Sequence, residues 1–153
     1  MQEVPAGAGR LTHAPADHPP VKPAKIGVLL ANLGTPDGYD YRSMRRYLSE
    51  FLSDKRVVDI PDWKWQPLLQ LIILSKRAFT SGANYKLIWN HEKNESPLLT
   101  ITKAQTSAIA AGMAARHGEA VMVDFCMRYG NPSTASKVKA MVAAGCEKIL
   151  FFP

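Results

Sequence analysis

The most informative hydrophobic pattern in the chain is the apolar run at residues 26–30, which is followed by Gly34 and Pro36. The run is too short for an independent helix and includes the β-branched Val28, so it predicts a strand that is buried on both faces. We expect this strand to lie at the centre of a parallel sheet. The stretch at residues 32–37 favours a sharp turn, and ligands of open α/β sheets bind beside such strand ends. An ordinary loop without a ligand is the alternative.

Helical spacing is present in three further segments. Apolar side chains recur every three or four positions over residues 41–52, which predicts an amphipathic helix of about three turns. Ser96 and Ser133 are predicted N-caps of two more helices, and Gly118 and Gly145 lie where those helices should end.

Two more apolar strands are predicted at residues 120–127 and 148–152, together with a short strand at residues 56–60 and a short helix at residues 84–89. The resulting order, β-α-(β)-α-α-β-α-β, predicts a doubly wound parallel α/β sheet with right-handed crossovers. Such a sheet normally continues past a third main strand, because helices must cover both of its faces. We therefore expect a truncated domain over residues 24–153.

Composition and charge narrow the class of partner. The first 23 residues contain five of the eleven prolines and little that is apolar, which predicts a disordered tail at residues 1–23. The formal net charge is +6, yet Lys and Arg form no block of the kind that binds nucleic acid.

Cys126 and Cys146 lie in apolar segments without metal-binding spacing, which favours free thiols in a reducing, cytoplasmic compartment. No apolar stretch reaches the roughly 18 residues of a membrane span.

The segment at residues 63–74 is apolar almost all round a helix, and Lys76 and Arg77 follow it. Two interpretations stay open: a helix buried within the domain, or an exposed apolar lip that contacts a membrane surface or a flat hydrophobic ligand. On the second interpretation, Leu69 and Ile73 are expected to face lipid.

The candidate chemistry lies where two strands end. Parallel strands that end at one edge of a sheet bring their last residues together, so Arg128 and Tyr129 are expected to face the same crevice as Leu33 and Gly34. An arginine, a tyrosine hydroxyl and the helix N-terminus capped by Ser133 suit an anionic group, most simply a carboxylate. A surface ion pair is the alternative for Arg128.

Five segments together resemble the amino-terminal half of a ferrochelatase, the enzyme that inserts Fe²⁺ into protoporphyrin IX in the last step of haem synthesis. They are GVLLANLGTPD, RRYLSEFLSDKRVVDIP, the stretch at residues 85–96 that leads into ESPL, MRYGNPS and AGCEKILFFP. The order and spacing of all five are similar to those of the family. Leucine at position 33 resembles the branch that uses protoporphyrin, whereas the branch that uses coproporphyrin tends to carry tyrosine there.

The resemblance implies a substrate-binding surface. Leu33 corresponds to an apolar residue over the macrocycle face, and Leu48 and Phe51 correspond to residues of the lip. The positions that match residues lining the pocket or binding the porphyrin propionates are Arg77, Tyr85, Ser96, Arg128 and Tyr129. The apolar helix at residues 63–74 would belong to a mouth that faces a membrane.

The resemblance places the family's proton-accepting histidine beyond Pro153, and neither His91 nor His117 matches it. We therefore expect porphyrin-binding residues but no catalytic residue or metal ligand in this chain, and no activity from residues 1–153 alone. Fe²⁺ is expected as a substrate and no cofactor is evident; neither an iron–sulfur cluster nor an oligomeric state is predicted. A non-catalytic porphyrin-binding fragment or a flavodoxin-like binding module is the alternative function.

Overall fold

Three parallel strands form the sheet of the computed structural model, which describes residues 24–153. They are β1 (Lys25–Thr35), β2 (Val121–Gly130) and β3 (Cys146–Phe152), in the spatial order β2-β1-β3. The central position of the first strand and the parallel α/β class are thus confirmed. β1 is longer than predicted, because residues 32–35 continue the pairing with β2 before the chain turns. The predicted tail at residues 1–23 lies outside the described residues.

The helices among residues 24–153 are α1 (Tyr41–Ser53), α2 (Asp62–Leu68), α3 (Leu74–Ile88), α4 (Pro97–His117) and α5 (Thr134–Ala143). A π-helical turn at Leu69–Ile73 joins α2 to α3 without a break. The separate helix predicted at residues 84–89 is therefore wrong, because most of these residues continue α3. Gly82 does not end the helix: it is buried against the loop before α1, where an added β-carbon would lie 2.4 Å from the carbonyl oxygen of Tyr39.

Side-chain caps begin two of the helices as the sequence predicts. The hydroxyl of Ser96 accepts a hydrogen bond from the backbone N–H of Leu99 at 3.2 Å, and that of Ser133 accepts one from Ser136 at 3.3 Å. Each cap satisfies a backbone donor that has no partner inside the helix. Both predicted N-caps are confirmed, and α4 ends directly before Gly118, which has a positive φ of 57°.

A turn at residues 55–57 and irregular structure at residues 58–60 take the place of the additional strand predicted at residues 56–60, so that prediction is wrong. The backbone carbonyl of Asp54 accepts from the N–H groups of Val57 and Val58 at 2.9 and 3.0 Å, and its side chain accepts from the N–H of Arg56 at 2.9 Å. An aspartate that binds the backbone just after itself stabilises a turn and competes with strand pairing.

Helices pack on both faces of the sheet. On one face, Leu29 lies in a buried cluster with Cys126 and Met141, beneath α5. Asn32, three positions further along β1, points to the opposite face, and its amide donates to the hydroxyl of Thr102 in α4 at 3.0 Å. This two-sided packing leaves the carboxyl ends of β1 and β2 as the edge to which α1 and the loops attach.

The apolar segment at residues 63–74 has a buried side and an exposed side. The contact of the exposed side with a membrane or a flat ligand stays a prediction. Leu69 is 0% exposed, and Ile73 packs half-buried against the same core cluster. Leu71 and Ile72 are 76% and 55% exposed. The expectation that Leu69 faces lipid is wrong, because Leu69 packs in a buried cluster with Leu52 of α1 and Leu74 of α3. No helix among the described residues is long and apolar enough to cross a membrane.

Candidate functional site

The ends of β1 and β2 meet as predicted, and they approach very closely. Gly34 pairs with Tyr129 across the two strands, and its φ of 124° is one that side-chain-bearing residues rarely adopt. A β-carbon at Gly34 would lie 2.0 Å from the carbonyl oxygen of Tyr129. The buried hydroxyl of Tyr47 donates to the carbonyl of Gly34 at 3.1 Å, which ties α1 to the same point. Gly34 is therefore required by contact distance as well as by backbone angle.

Four of the predicted site residues lie together in one apolar cluster beside this junction. Tyr129 of β2 is one of the buried side chains of that cluster. The half-buried Leu48 and Phe51 of α1 and Tyr85 of α3 pack against it. The Phe51 ring contacts the Tyr129 ring edge to face, with centroids 5.1 Å apart. This aromatic wall, as we call the surface formed by these four residues, is assembled from three elements that are distant in sequence.

Arg128 lies at the rim of the aromatic wall and is paired with an aspartate that sequence reasoning missed. Its guanidinium donates to Oδ2 of Asp54, and the hydroxyl of Tyr129 donates to the same oxygen at 3.1 Å. The guanidinium carbon also lies 5.3 Å from the centre of the Tyr129 ring. The ion pair offered as the alternative for Arg128 is thus present, and the arginine side chain stays 55% exposed.

Asp54 is the acceptor on which these donors converge. The pKa of its carboxyl is lowered from 3.8 to about 2, mainly by the N–H of Arg56 and then by the hydrogen bonds from Arg128 and Tyr129. The pKa of Arg128 is raised by the same hydrogen bond. The only sequence signal for this role is an acidic residue at the end of α1, directly before two cations.

A cavity of about 510 Å³ opens beside this pair. Its lining residues are Glu50, Ser53, Asp54, Lys55, Arg56, Arg128 and Tyr129. Three of them are cationic and two are acidic, so the lining has a net positive charge. Glu50 is in part engaged elsewhere, because it accepts from the backbone N–H of Gly130 at 2.9 Å. The cavity therefore suits a ligand that carries a carboxylate.

The remaining predicted site residues lie outside the aromatic wall. Leu33 is 54% exposed near the end of β1, and Arg77 is exposed on α3. Ser96 is buried and its hydroxyl caps α4. These three stay predictions as ligand contacts.

The histidines and the acidic and thiol side chains of residues 24–153 lie apart from one another. No group of three or more His, Cys, Asp or Glu side chains among residues 24–153 is placed to bind a metal ion. His91 and His117 are both exposed, and His91 lies 6.1 Å from the ring of Tyr39. What the site offers chemically is an apolar, largely aromatic cluster with a cation at its rim.

Comparison with known proteins gives one consistent family. The sequence model of the Ferrochelatase family matches residues 25–153. The ferrochelatase of Rhodobacter capsulatus is 67% identical over 144 residues, which cover 94% of this chain and 41% of the relative. The ferrochelatase of Agrobacterium fabrum is 53% identical over 146 residues, 95% of this chain and 42% of the relative. The chain thus spans about two fifths of the length of the curated relatives it matches.

The lowered pKa of Asp54 gives a prediction for stability. Because that pKa is about 2 in the folded chain and near 3.8 in the unfolded chain, the charged carboxylate stabilises the fold above about pH 4. This contribution is lost as the pH falls towards 2. We expect Asp54→Asn to lower the free energy of unfolding at neutral pH and to flatten its decline between about pH 5 and pH 2, measured by urea unfolding.

The exposed Asp59 provides the control. Asp59→Asn should leave both the stability and its pH dependence close to those of the parent chain. An Asp54→Asn variant with the parent's acid profile would show that the carboxylate does not stabilise the fold.

Proposed function

The chain belongs to the ferrochelatase family, and we propose that the whole protein inserts Fe²⁺ into protoporphyrin IX to form protohaem in haem biosynthesis. The observation that carries this proposal is the aromatic wall with Arg128 at its rim. A porphyrin is a flat apolar ring with carboxylates at one edge, so it needs an apolar surface and adjacent cationic donors. Fe²⁺ is the substrate of this reaction and not a resident cofactor.

Arg128 can hold a porphyrin carboxylate without releasing Asp54. One of its terminal nitrogens, Nη2, donates to Asp54, and a guanidinium has further N–H donors in a fixed plane. We infer that Asp54 and Tyr129 hold one edge of the guanidinium while the other edge faces the ligand. Leu33, exposed near the end of β1, would then lie against a face of the macrocycle.

Arg77 and Tyr85 extend the proposed surface along α3. They are eight residues apart, which is about 12 Å along a helix axis. Tyr85 already belongs to the aromatic wall, and Arg77 is exposed and able to pair with an anion. We propose that Arg77 and Tyr85 contact the porphyrin and its second carboxylate, and that the buried Ser96 contributes by fixing the start of α4.

Metal insertion also needs a base that accepts the two pyrrole protons. We propose that this base lies outside residues 24–153, because His91 and His117 are exposed and neither lies in the cavity beside Arg128. The site residues among 24–153 would bind and orient the porphyrin.

The exposed side of the apolar segment supports a further part of the proposal, a peripheral contact with the cytoplasmic face of a membrane. Trp63, Leu71 and Ile72 are exposed on one continuous helical segment, and Lys76 and Arg77 follow it. Apolar and tryptophan side chains with neighbouring cations are typical of interfacial helices. A membrane contact at this position would bring the poorly soluble porphyrin to the aromatic wall.

The activity itself is tested by metal insertion. The full-length protein should convert protoporphyrin IX and Fe²⁺ to protohaem, which is measured by the change in porphyrin absorbance. The rate with the chain of 153 residues should not exceed that of a no-protein control. Insertion by the chain alone would place the base within its 153 residues and contradict a base supplied by the rest of the full-length protein.

Arg128 is tested by porphyrin binding. Because a charge-assisted hydrogen bond contributes roughly 1.5–3 kcal/mol, Arg128→Ala in the full-length protein should weaken binding of the free diacid about ten- to a hundredfold. Arg128→Lys should restore only part of the affinity, since a point charge lacks the planar fork. Fluorescence titration would measure each dissociation constant.

Two comparisons separate carboxylate binding from a structural effect of Arg128. Binding of a porphyrin whose carboxylates are esterified should hardly change in Arg128→Ala. Arg56→Ala, which removes the neighbouring cation 3.6 Å from Asp54, should have a small effect on the diacid. Equal weakening of diester and diacid would mean that Arg128 supports the fold and does not bind the carboxylate.

The membrane contact is tested with two matched pairs of residues. Leu71→Glu with Ile72→Glu should lower binding to lipid vesicles at least about tenfold, because each apolar side chain buried in lipid contributes more than 1 kcal/mol. Leu87→Glu with Ile88→Glu makes the same exchange at exposed positions near the end of α3 and should leave vesicle binding unchanged. Equal losses in both variants would contradict a contact confined to the exposed side of residues 63–74.

A further inference from the structure

A second cavity lies along α1, next to the cavity beside Arg128, with which it shares Glu50 and Ser53. Neither the aromatic wall nor the proposed base uses it. Its volume is about 570 Å³, and it lies between α1 and the segment that joins α2 to α3. The residues that line it are Arg42, Arg45, Arg46, Ser49, Glu50, Ser53 and Gln70. The three arginines are three and four positions apart, so they project from one side of the helix.

Arg45 is held in place by Gln70. Its Nη2 donates to the backbone oxygen of Gln70 at 3.1 Å and to the side-chain oxygen at 3.0 Å, and the Gln70 amide donates to Ser49 at 2.9 Å. One terminal nitrogen of the guanidinium is therefore fixed while others stay available. A cation fixed in this way loses little freedom when it binds a ligand.

The charge of the cavity is positive. Arg46 is largely exposed, and its nearest acidic partner is Asp37 at 3.8 Å, a loose contact. Glu50 is the one acidic lining residue, and it also accepts from the N–H of Gly130. Three guanidinium groups with hydroxyls beside them favour an oxyanion with several oxygens, above all a phosphate.

The neighbourhood of the cavity indicates where the phosphate comes from. Gln70, which holds Arg45, is followed directly by the exposed Leu71 and Ile72. A phosphate bound at the arginines would thus lie next to an apolar surface suited to acyl chains. We propose that Arg42, Arg45 and Arg46 form a binding site for the phosphate of an anionic phospholipid headgroup. This inference rests on the membrane contact proposed above.

The experiment compares binding of the full chain to vesicles of phosphatidylcholine alone and to vesicles that also contain phosphatidylglycerol. Arg42→Gln with Arg46→Gln should reduce binding to the anionic vesicles by about 25-fold, since each cation at an anionic surface changes affinity roughly fivefold. Arg45 is left intact because it also supports Gln70. Binding to phosphatidylcholine alone should not change.

The control removes the same charge at two positions outside the cavity lining. Lys139 and Lys148 are exposed on α5 and β3, and their joint exchange for glutamine should reduce binding to anionic vesicles less than twofold. Unchanged unfolding midpoints would show that both double variants are folded. An equal loss in the control, or no loss in Arg42→Gln with Arg46→Gln, would overturn the site.

Two further outcomes separate this site from the membrane contact itself. Equal binding of the parent chain to both vesicle types would overturn the arginine site and leave the apolar contact standing, whereas binding to neither type would overturn both. Inorganic phosphate at constant ionic strength serves as the third arm. Saturable binding of phosphate without a preference for anionic vesicles would assign the arginines to a free phosphate and overturn the lipid headgroup.

Discussion

The candidate site depends on one carboxylate, that of Asp54. It joins the end of α1 to the end of β2, because Arg128 and Tyr129 both donate to one of its oxygens while the N–H of Arg56 donates to the other. The same aspartate forms the turn that follows the helix. One residue thus fixes the path of the chain, the position of a guanidinium and the orientation of a tyrosine ring against Phe51.

Features encoded by local sequence were predictable. The strand at residues 26–30, the N-caps at Ser96 and Ser133 and the helix end before Gly118 each depend on neighbours within a few positions. The pairing of Asp54 with Arg128 spans 74 positions, and no periodicity or turn signal reports such a contact. For the same reason Arg128 was predicted as a candidate anion ligand while its protein partner was not.

The errors at residues 56–60 and at Leu69 have separate physical causes. A strand-like run with two adjacent valines suggested a strand at residues 56–60, but Asp54 supplies hydrogen bonds that the strand ladder would otherwise have to provide. At Leu69 the composition was apolar on all sides, so hydrophobicity alone did not distinguish the side that faces the core from the side that faces solvent. Packing against α1 determines which side of the segment is buried, and such packing cannot be inferred from the sequence of one segment alone.

The π-helical turn at Leu69–Ile73 has a consequence for everything that follows it on α3. Relative to an unbroken α-helix, a π turn accommodates one extra residue, and one residue corresponds to about 100° of rotation about the axis. The turn therefore sets the rotational phase of α3, and with it the direction in which Arg77 and Tyr85 project. Tyr85 reaches the cluster around Tyr129 in that phase. The position of Tyr85 in the aromatic wall is thus encoded partly in five residues, four of them apolar, that precede it on the same helical segment.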